Sequence, residues 1–292
     1  MKTEFESLAG PFSGPCRTVG SEIHHFTTVT STMDIAWDLA NKGAVDGTVI
    51  VADHQSAGRG RFDRSWVSDH GQDILCSVVL RPRVSLAGEL MMLAALSVVD
   101  VAESFGINAG IKWPNDVQVR GKKLAGVIAE SVTGPATPDT GHAAGFGPDI
   151  APDVAPGADS IPEYFVAVIG IGLNVNIDLS NYGDAEIGLE PTSFSAELGR
   201  QIDRLAVFNK LLRSLDKYYS ELSAGGSVVS AWREKLTTLG RVVTVVSGDA
   251  RGTTNLHGLA RDVDSSGRLI VRDADGRDWP VSAGEVTVQD IE

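Results

Sequence analysis

Apolar positions recur along the chain in two periods, and the switches between them predict most of the elements. IHHFTTV over 23–29 reads as a strand, TVIVADH over 48–54 as a short apolar strand and ILCSVVLRP over 74–82 as another. Thr30 and Ser31 are N-cap residue types, and Asp34 suits the first turn of a helix that reaches about Lys42 and ends at Gly43. Helical spacing of apolar residues predicts a second helix from Glu89 to Phe105. The segment 111–132, IKWPNDVQVRGKKLAGVIAESV, reads as strand, turn, strand, tight turn, strand. YFVAVIGIGLNVNI over 164–177 reads as a buried strand. Leu205, Phe208, Leu212, Leu215, Tyr219 and Leu222 recur at steps of three and four, which is the core face of one long helix. Trp232 and Leu236 are assigned to a shorter helix after it. From Gly240 the pattern changes to RVVTVV, NLHGLARDV and RLIVRD, separated by tight turns, and predicts a small barrel. The domain boundary is placed near 238.

Three stretches escape this pattern. Residues 1–20 read as a loose N-terminal arm. Residues 55–66, QSAGRGRFDRSW, are polar, glycine-rich and basic. Residues 134–162 hold six of the twelve prolines and no Lys or Arg, and read as a mobile acidic insertion. The formal net charge of −13 argues against broad nucleic-acid binding. Met91–Val99, the most apolar run, is too short for a membrane span, and the first residues carry no apolar leader core. The expectation is a cytoplasmic protein that binds neither DNA nor membrane. Cys16 and Cys76 have no metal-ligand spacing and are expected as reduced thiols, and His24-His25 as a structural or exposed pair. No metal site is assigned.

Four motifs remain. Gly58-Arg59-Gly60-Arg61, followed by Arg64 and Trp66, concentrates arginine forks in an acidic chain and suggests an anion site that an indole could cover. As composition alone it is equally a solvated basic loop. Lys112-Trp113-Pro114-Asn115-Asp116 is a proline-fixed turn whose Lys112 or Asn115 could face a cleft. Gly121-Lys122-Lys123-Leu124-Ala125-Gly126 starts a strand with a lysine and then leaves room beside it. Gly170-Ile171-Gly172-Leu173-Asn174 lacks the third glycine of a dinucleotide fingerprint, so its glycines are read as a place of close approach on a buried strand. There is no Walker A sequence.

Together QSAGRGR, KWPND, KLAG and GIGLNVN, in this order from about residue 22 onward, resemble biotin protein ligase, in the form without an N-terminal DNA-binding domain. The resemblance implies an α+β fold. Residues 1–238 would form a mixed sheet with flanking helices, like the class II aminoacyl-tRNA synthetases, and 239–292 an SH3-like barrel. It implies ATP and biotin as substrates with Mg²⁺. The implied partner is a biotin carboxyl carrier protein that offers an acceptor lysine. A homodimer is left open.

Carried over residue by residue, the biotin site falls on Ser31, Thr32, Met33, Gln55, Gly58, Arg59, Gly60, Arg61, Lys123, Gly126, Gly170 and Gly172. ATP and the adenylate fall to Arg61, Arg64, Trp66, Lys112, Asn115 and Asn174. The catalytic group is Lys123, Arg61, Asp116 and Lys112, with Lys123 meeting the biotin carboxylate and Asp116 facing the reaction centre. Family members often carry Asn where this chain has Met33, and the 134–162 insertion also departs from the family pattern. The implied rivals are a lipoate or octanoate ligase on the same fold, a biotin-responsive repressor, and a biotin-binding module without catalysis.

Overall fold

The computed structural model describes residues 18–61, 64–132, 164–178, 190–249, 252–282 and 284–288. The insertion at 134–162 and Cys16 lie outside the described residues. Seven strands form one mixed sheet. They are β1 (Ile23–Phe26), β2 (Thr48–Ala52), β5 (Ile74–Leu80), β6 (Gly110–Lys112), β7 (Asp116–Val119), β8 (Lys122–Val132) and β9 (Val166–Leu173). Their order is β1-β2-β5-β9-β8-β7-β6, and only the β1–β2 pair is parallel. The turn joining β7 to β8 is the residue pair Arg120-Gly121, both at positive φ, as a two-residue hairpin between Val119 and Lys122 requires.

Strand alternation gives the sheet two faces with different partners. On one lies α1 (Thr32–Asn41), whose Met33, Ala36 and Ala40 pack with Ile50, Val79, Val166 and Val168. Ser31 caps it, accepting the Met33 N–H at 3.3 Å, and it ends two residues before Gly43, whose φ is +90°. On the other lie α2 (Leu90–Ser104) and α4 (Arg204–Ser223), packed on each other. Val49, Cys76, Ala125, Val127, Ile169 and Ile171 belong to that larger core.

Alpha2 is apolar almost all round, and twelve of its fifteen residues are buried. A 3-10 turn over Val84–Glu89 extends it, so the helical run of 21 residues is long and apolar enough to cross a membrane by length and composition. This corrects the sequence reading of the stretch as too short: the 3-10 turn adds length, and the apolar surface is the protein's own core. Residues 18–20 are likewise no loose arm. Val19 is buried, and the Thr18 and Val19 N–H groups donate to Asp216 Oδ1 at 2.8 and 2.9 Å.

The short helices are α3 (Phe194–Leu198) and α5 (Val229–Glu234). Leu236 lies beyond α5, bridged to Ile111, which corrects its placement on that helix. The C-terminal part is an antiparallel sheet of β10 (Val242–Asp249), β11 (Gly252–Val263), β12 (Leu269–Arg272), β13 (Asp278–Val281) and β14 (Glu285–Val288), ordered β13-β12-β11-β10-β14. Its Val243, Ala260, Leu269, Val271 and Val286 join the same core as Met92, Trp113 and Trp232.

Candidate active site

Three glycines strip side chains from one patch of the α1 face of the sheet. Gly170 pairs with Ser77 of β5 and Ile128 of β8, and Gly172 pairs with Leu75 and Gly126, which in turn faces Asp116 of β7. Residues two apart on a strand share a face, so Gly170 and Gly172 lie on one surface with Gly126 beside them. A Cβ at Gly172 would stand 2.4 Å from Trp66 Cε2, and one at Gly126 would stand 2.9 Å from Trp66 Cζ3. A Cβ at Gly170 would meet Met33 Sδ at 2.7 Å. The glycines are therefore a floor over which Met33 and Trp66 lie, and any larger residue would displace them.

Polar groups of α1, β5 and the loop after β2 line one end. Gln55 Oε1 accepts from Thr32 N–H at 2.7 Å and Thr32 Oγ1 at 3.0 Å, and Thr32 Oγ1 lies 2.8 Å from Ser77 Oγ. These groups are uncharged and mostly buried, which suits a neutral ligand with donors and acceptors. Ser77 was not singled out in the sequence, although a lone hydroxyl within ILCSVVL is a visible signal.

The loop continues as a small hairpin of β3 (Gly58–Arg59) and β4 (Ser65–Trp66), with Phe62 and Asp63 outside the described residues. Gly60 N–H donates to Arg64 O at 2.7 Å. Arg61 reaches across to Asn115, 3.0 Å from Nη1 to Oδ1, and so joins the arginine loop to the KWPND turn. Asn115 is held in turn by Val127 O at 2.5 Å. Lys123 Nζ pairs with Asp116 Oδ1 at 2.8 Å and lies 5.5 Å from the Trp66 ring centre. Lys112 sits opposite Asp116 on β6. This end of the floor thus carries Lys123 paired with Asp116, Lys112 opposite Asp116 on the neighbouring strand, and Arg61 on Asn115. Trp66 Nε1 is a buried donor with no partner among the described residues.

Two expected ligand residues are engaged elsewhere. The Arg59 guanidinium donates to Asp34 Oδ1 at 3.1 Å and Glu130 Oε1 at 2.6 Å, strapping the loop to α1 and β8. Glu130 also accepts from Trp37 Nε1 at 2.7 Å. Asp34, Glu130 and Trp37 were not singled out as site residues, although Gly126, Ile128 and Glu130 fall on one face by period two. The Asn174 amide donates to Thr192 O at 2.9 Å and Lys123 O at 3.3 Å, so it fixes the backbone that presents Lys123.

Outside the floor, Cys76 is a free, buried thiol. His25 pairs with Asp53 at 2.9 Å and His24 lies 3.1 Å from Glu22. Among the described residues, no three His, Cys, Asp or Glu side chains group to hold a metal ion.

Comparison with known proteins gives this geometry its setting. Residues 25–140 match the biotin/lipoate A/B protein ligase family, and 238–288 match the biotin protein ligase C-terminal domain. A bifunctional ligase/repressor BirA of Bacillus subtilis is 31% identical, covering 88% of this chain and 71% of its own length. A biotin–[acetyl-CoA-carboxylase] ligase of Mycobacterium tuberculosis is 32% identical, over 89% of this chain and 85% of its own. In fold, the chain is similar to biotin protein ligase from Aquifex aeolicus in complex with biotin and ATP, with TM-score 0.67, 22% identity, and coverage of 91% and 98%. The sequence relatives and the C-terminal match agree: this chain belongs to the biotin protein ligase family.

Proposed function

We propose that this enzyme joins biotin and ATP to give biotinyl-5′-AMP and pyrophosphate, then transfers the biotinyl group to a lysine of a biotin carboxyl carrier protein. The observation that carries the reading is the polarity of the glycine floor. At one end are Thr32, Gln55 and Ser77, uncharged and hydrogen-bonding, and at the other are Arg61, Lys112 and Lys123. Biotinyl-AMP has the same polarity, with a neutral ureido ring, an apolar body, and an acyl phosphate leading to a base.

On this reading Ser31, Thr32 and Gln55 hold the ureido ring, and Met33 covers the apolar thiophane ring in place of the usual Asn. Gly58, Gly60, Gly126, Gly170 and Gly172 let the ligand lie close to backbone. Lys123 leaves Asp116 for the biotin carboxylate. A carboxylate oxygen attacks the α-phosphorus of ATP, the bond to the β-phosphate oxygen breaks, and pyrophosphate leaves. Negative charge builds on phosphate oxygens, where Arg61, Arg64 and Lys112 stabilise it. Trp66 stacks on the adenine. In the second step the carrier amine, neutral when it attacks, displaces AMP from the acyl carbon and its proton is lost. Asp116 orients that amine or accepts its proton. Arg59 and Asn174 shape the site through the contacts they already make.

The described residues do not build a protein cage for Mg²⁺. The ion that the family implies would enter as substrate on the triphosphate, where phosphates and waters are its main ligands. The boundary near 238, a cytoplasmic location and the absence of DNA binding belong to the same proposal, the last supported by the net charge of −13.

The test is ATP–pyrophosphate exchange with biotin or lipoate. Exchange that needs biotin and ignores lipoate is the expected result. Exchange with lipoate alone would make the enzyme a lipoate ligase, the other activity in the name of the matched family.

A further inference from the structure

The active-site loop is held at its base by a buried arginine from a distant helix. The described parts of the loop, 53–61 and 64–73, carry Gln55, Gly58, Arg59, Arg61 and Trp66. Its two stems meet where Gly71 N–H donates to Asp53 O at 2.8 Å. Arg204, 5% exposed, fans its guanidinium over that junction. Nη1 donates to Gly71 O at 2.6 Å, Nε to Asp73 O at 3.1 Å, and Nη2 to Asp53 Oδ1 at 3.2 Å. The second Asp53 oxygen is 2.9 Å from His25 Nε2. One planar fork therefore fixes both stems at once, which a point charge such as lysine cannot do.

Two features set Arg204 against ordinary stability. It is the first residue of α4, where the helix dipole disfavours a cation. It is also desolvated, and an apolar side chain at such a place is often no worse for folding than a buried ion pair. The three hydrogen bonds of its guanidinium given above go to the stems of one loop and to the carboxylate at its start.

We propose that Arg204 is a positioning residue that fixes the two stems of the active-site loop and through them holds Gln55 against Thr32 and Trp66 over the glycine floor. The proposal rests on the function proposed above. It assigns to the N-terminus of α4 the retention of the acyl-adenylate, a reactive anhydride that must be kept from water until the acceptor arrives.

The experiment measures escape of preformed biotinyl-AMP from the full-length enzyme by chase with unlabelled biotin and ATP. It compares wild type with Arg204→Lys, and with Leu212→Ala as a control that loosens the buried face of α4 away from the loop. Arg204→Lys should raise the escape rate at least tenfold and raise KM for both biotin and ATP. The kcat for pyrophosphate release at saturation should fall less than threefold. Leu212→Ala should lower the Tm yet leave escape within twofold of wild type. Unchanged escape in folded Arg204→Lys, or equal acceleration in Leu212→Ala, would overturn the proposal. If Arg204→Lys does not fold, Asp53→Asn takes its place, with at least threefold faster escape expected and an unchanged rate again overturning the clamp. Wild-type enzyme that forms no biotin-dependent adenylate would instead refute the functional reading, a result separable from failure of the clamp.

Discussion

Lys123 and Asp116 form a 2.8 Å ion pair beside Gly126 and under the Trp66 ring, and each restrains the other before any ligand arrives. The first prediction is that Lys123→Ala slows adenylate formation under subsaturating biotin by roughly ten- to a hundredfold, since a charge-assisted contact is worth about 1.5–3 kcal/mol. Pyrophosphate release read continuously checks it, and an unchanged rate would remove Lys123 from the biotin carboxylate. A second prediction concerns Asp73, which burial pushes up to about 7 against the Val175 and Ile177 N–H groups and the Arg204 charge. A carboxyl raised in the folded state from an ordinary value of 3.8 contributes stability that is complete below about pH 4 and is lost as pH rises through about 7. Wild-type Tm should therefore fall between pH 5 and 8 by more than that of Asp73→Asn. Parallel melting curves for the two proteins across that range would contradict it.

Elements with strong periodicity were legible from the chain. The repeat from Leu205 to Leu222 became α4, and IKWPNDVQVRGKKLAGVIAESV resolved into β6, β7 and β8 with the tight turn at Arg120-Gly121. What stayed hidden depends on partners far apart in sequence. Arg59 reads as a ligand residue in a GRGR motif, yet its carboxylates come from Asp34 and Glu130, 25 and 71 residues away. Arg204 reads as one more position near a helix start, while its partner Asp53 lies 151 residues earlier. The two-residue strands β3 and β4 are too short for any period to announce them. Two predictions belong to this scale. Val132 at the end of β8 pairs with Val166 at the start of β9, so the chain on either side of the insertion ends at one place. Deleting residues 136–160 should leave biotin-dependent exchange within about threefold of wild type, the loss expected of loop shortening being small. A folded deletion protein that no longer binds biotin, seen by calorimetry, would give the insertion a part in the site. The KWPND turn, in turn, is braced by Thr238, just before β10, and by the turn between β11 and β12. Trp113 Nε1 donates to Gly267 O at 3.0 Å, and Thr238 Oγ1 accepts the Trp113 N–H at 2.9 Å. Trp113→Phe leaves a buried carbonyl unpaired, at a cost of about 1–3 kcal/mol. It should lower the Tm and raise KM for ATP more than KM for biotin, and an equal rise in both would mean that the brace does not act through Lys112 and Asn115.

At the scale of the molecule, the seven- and five-stranded sheets share one core through Met92, Trp113 and Trp232, and the helices divide the work between faces. Alpha1 covers the face that carries the glycine floor, and α2 and α4 cover the other, with the N-terminus of α4 reaching the stem of the loop that roofs the floor. The surroundings of the floor are neutral and hydrogen-bonding at one end and cationic at the other. The central claim is that this arrangement activates a carboxylate as its adenylate and hands the acyl group to a protein amine. It is tested most directly by incubating the enzyme with biotin, MgATP and a purified biotin-carrier domain, and measuring the intact mass of the carrier. A gain of one biotinyl group on a single lysine, dependent on both biotin and ATP, is the predicted result. A carrier whose mass stays unchanged while ATP is consumed, or one that accepts lipoate in place of biotin, would contradict it.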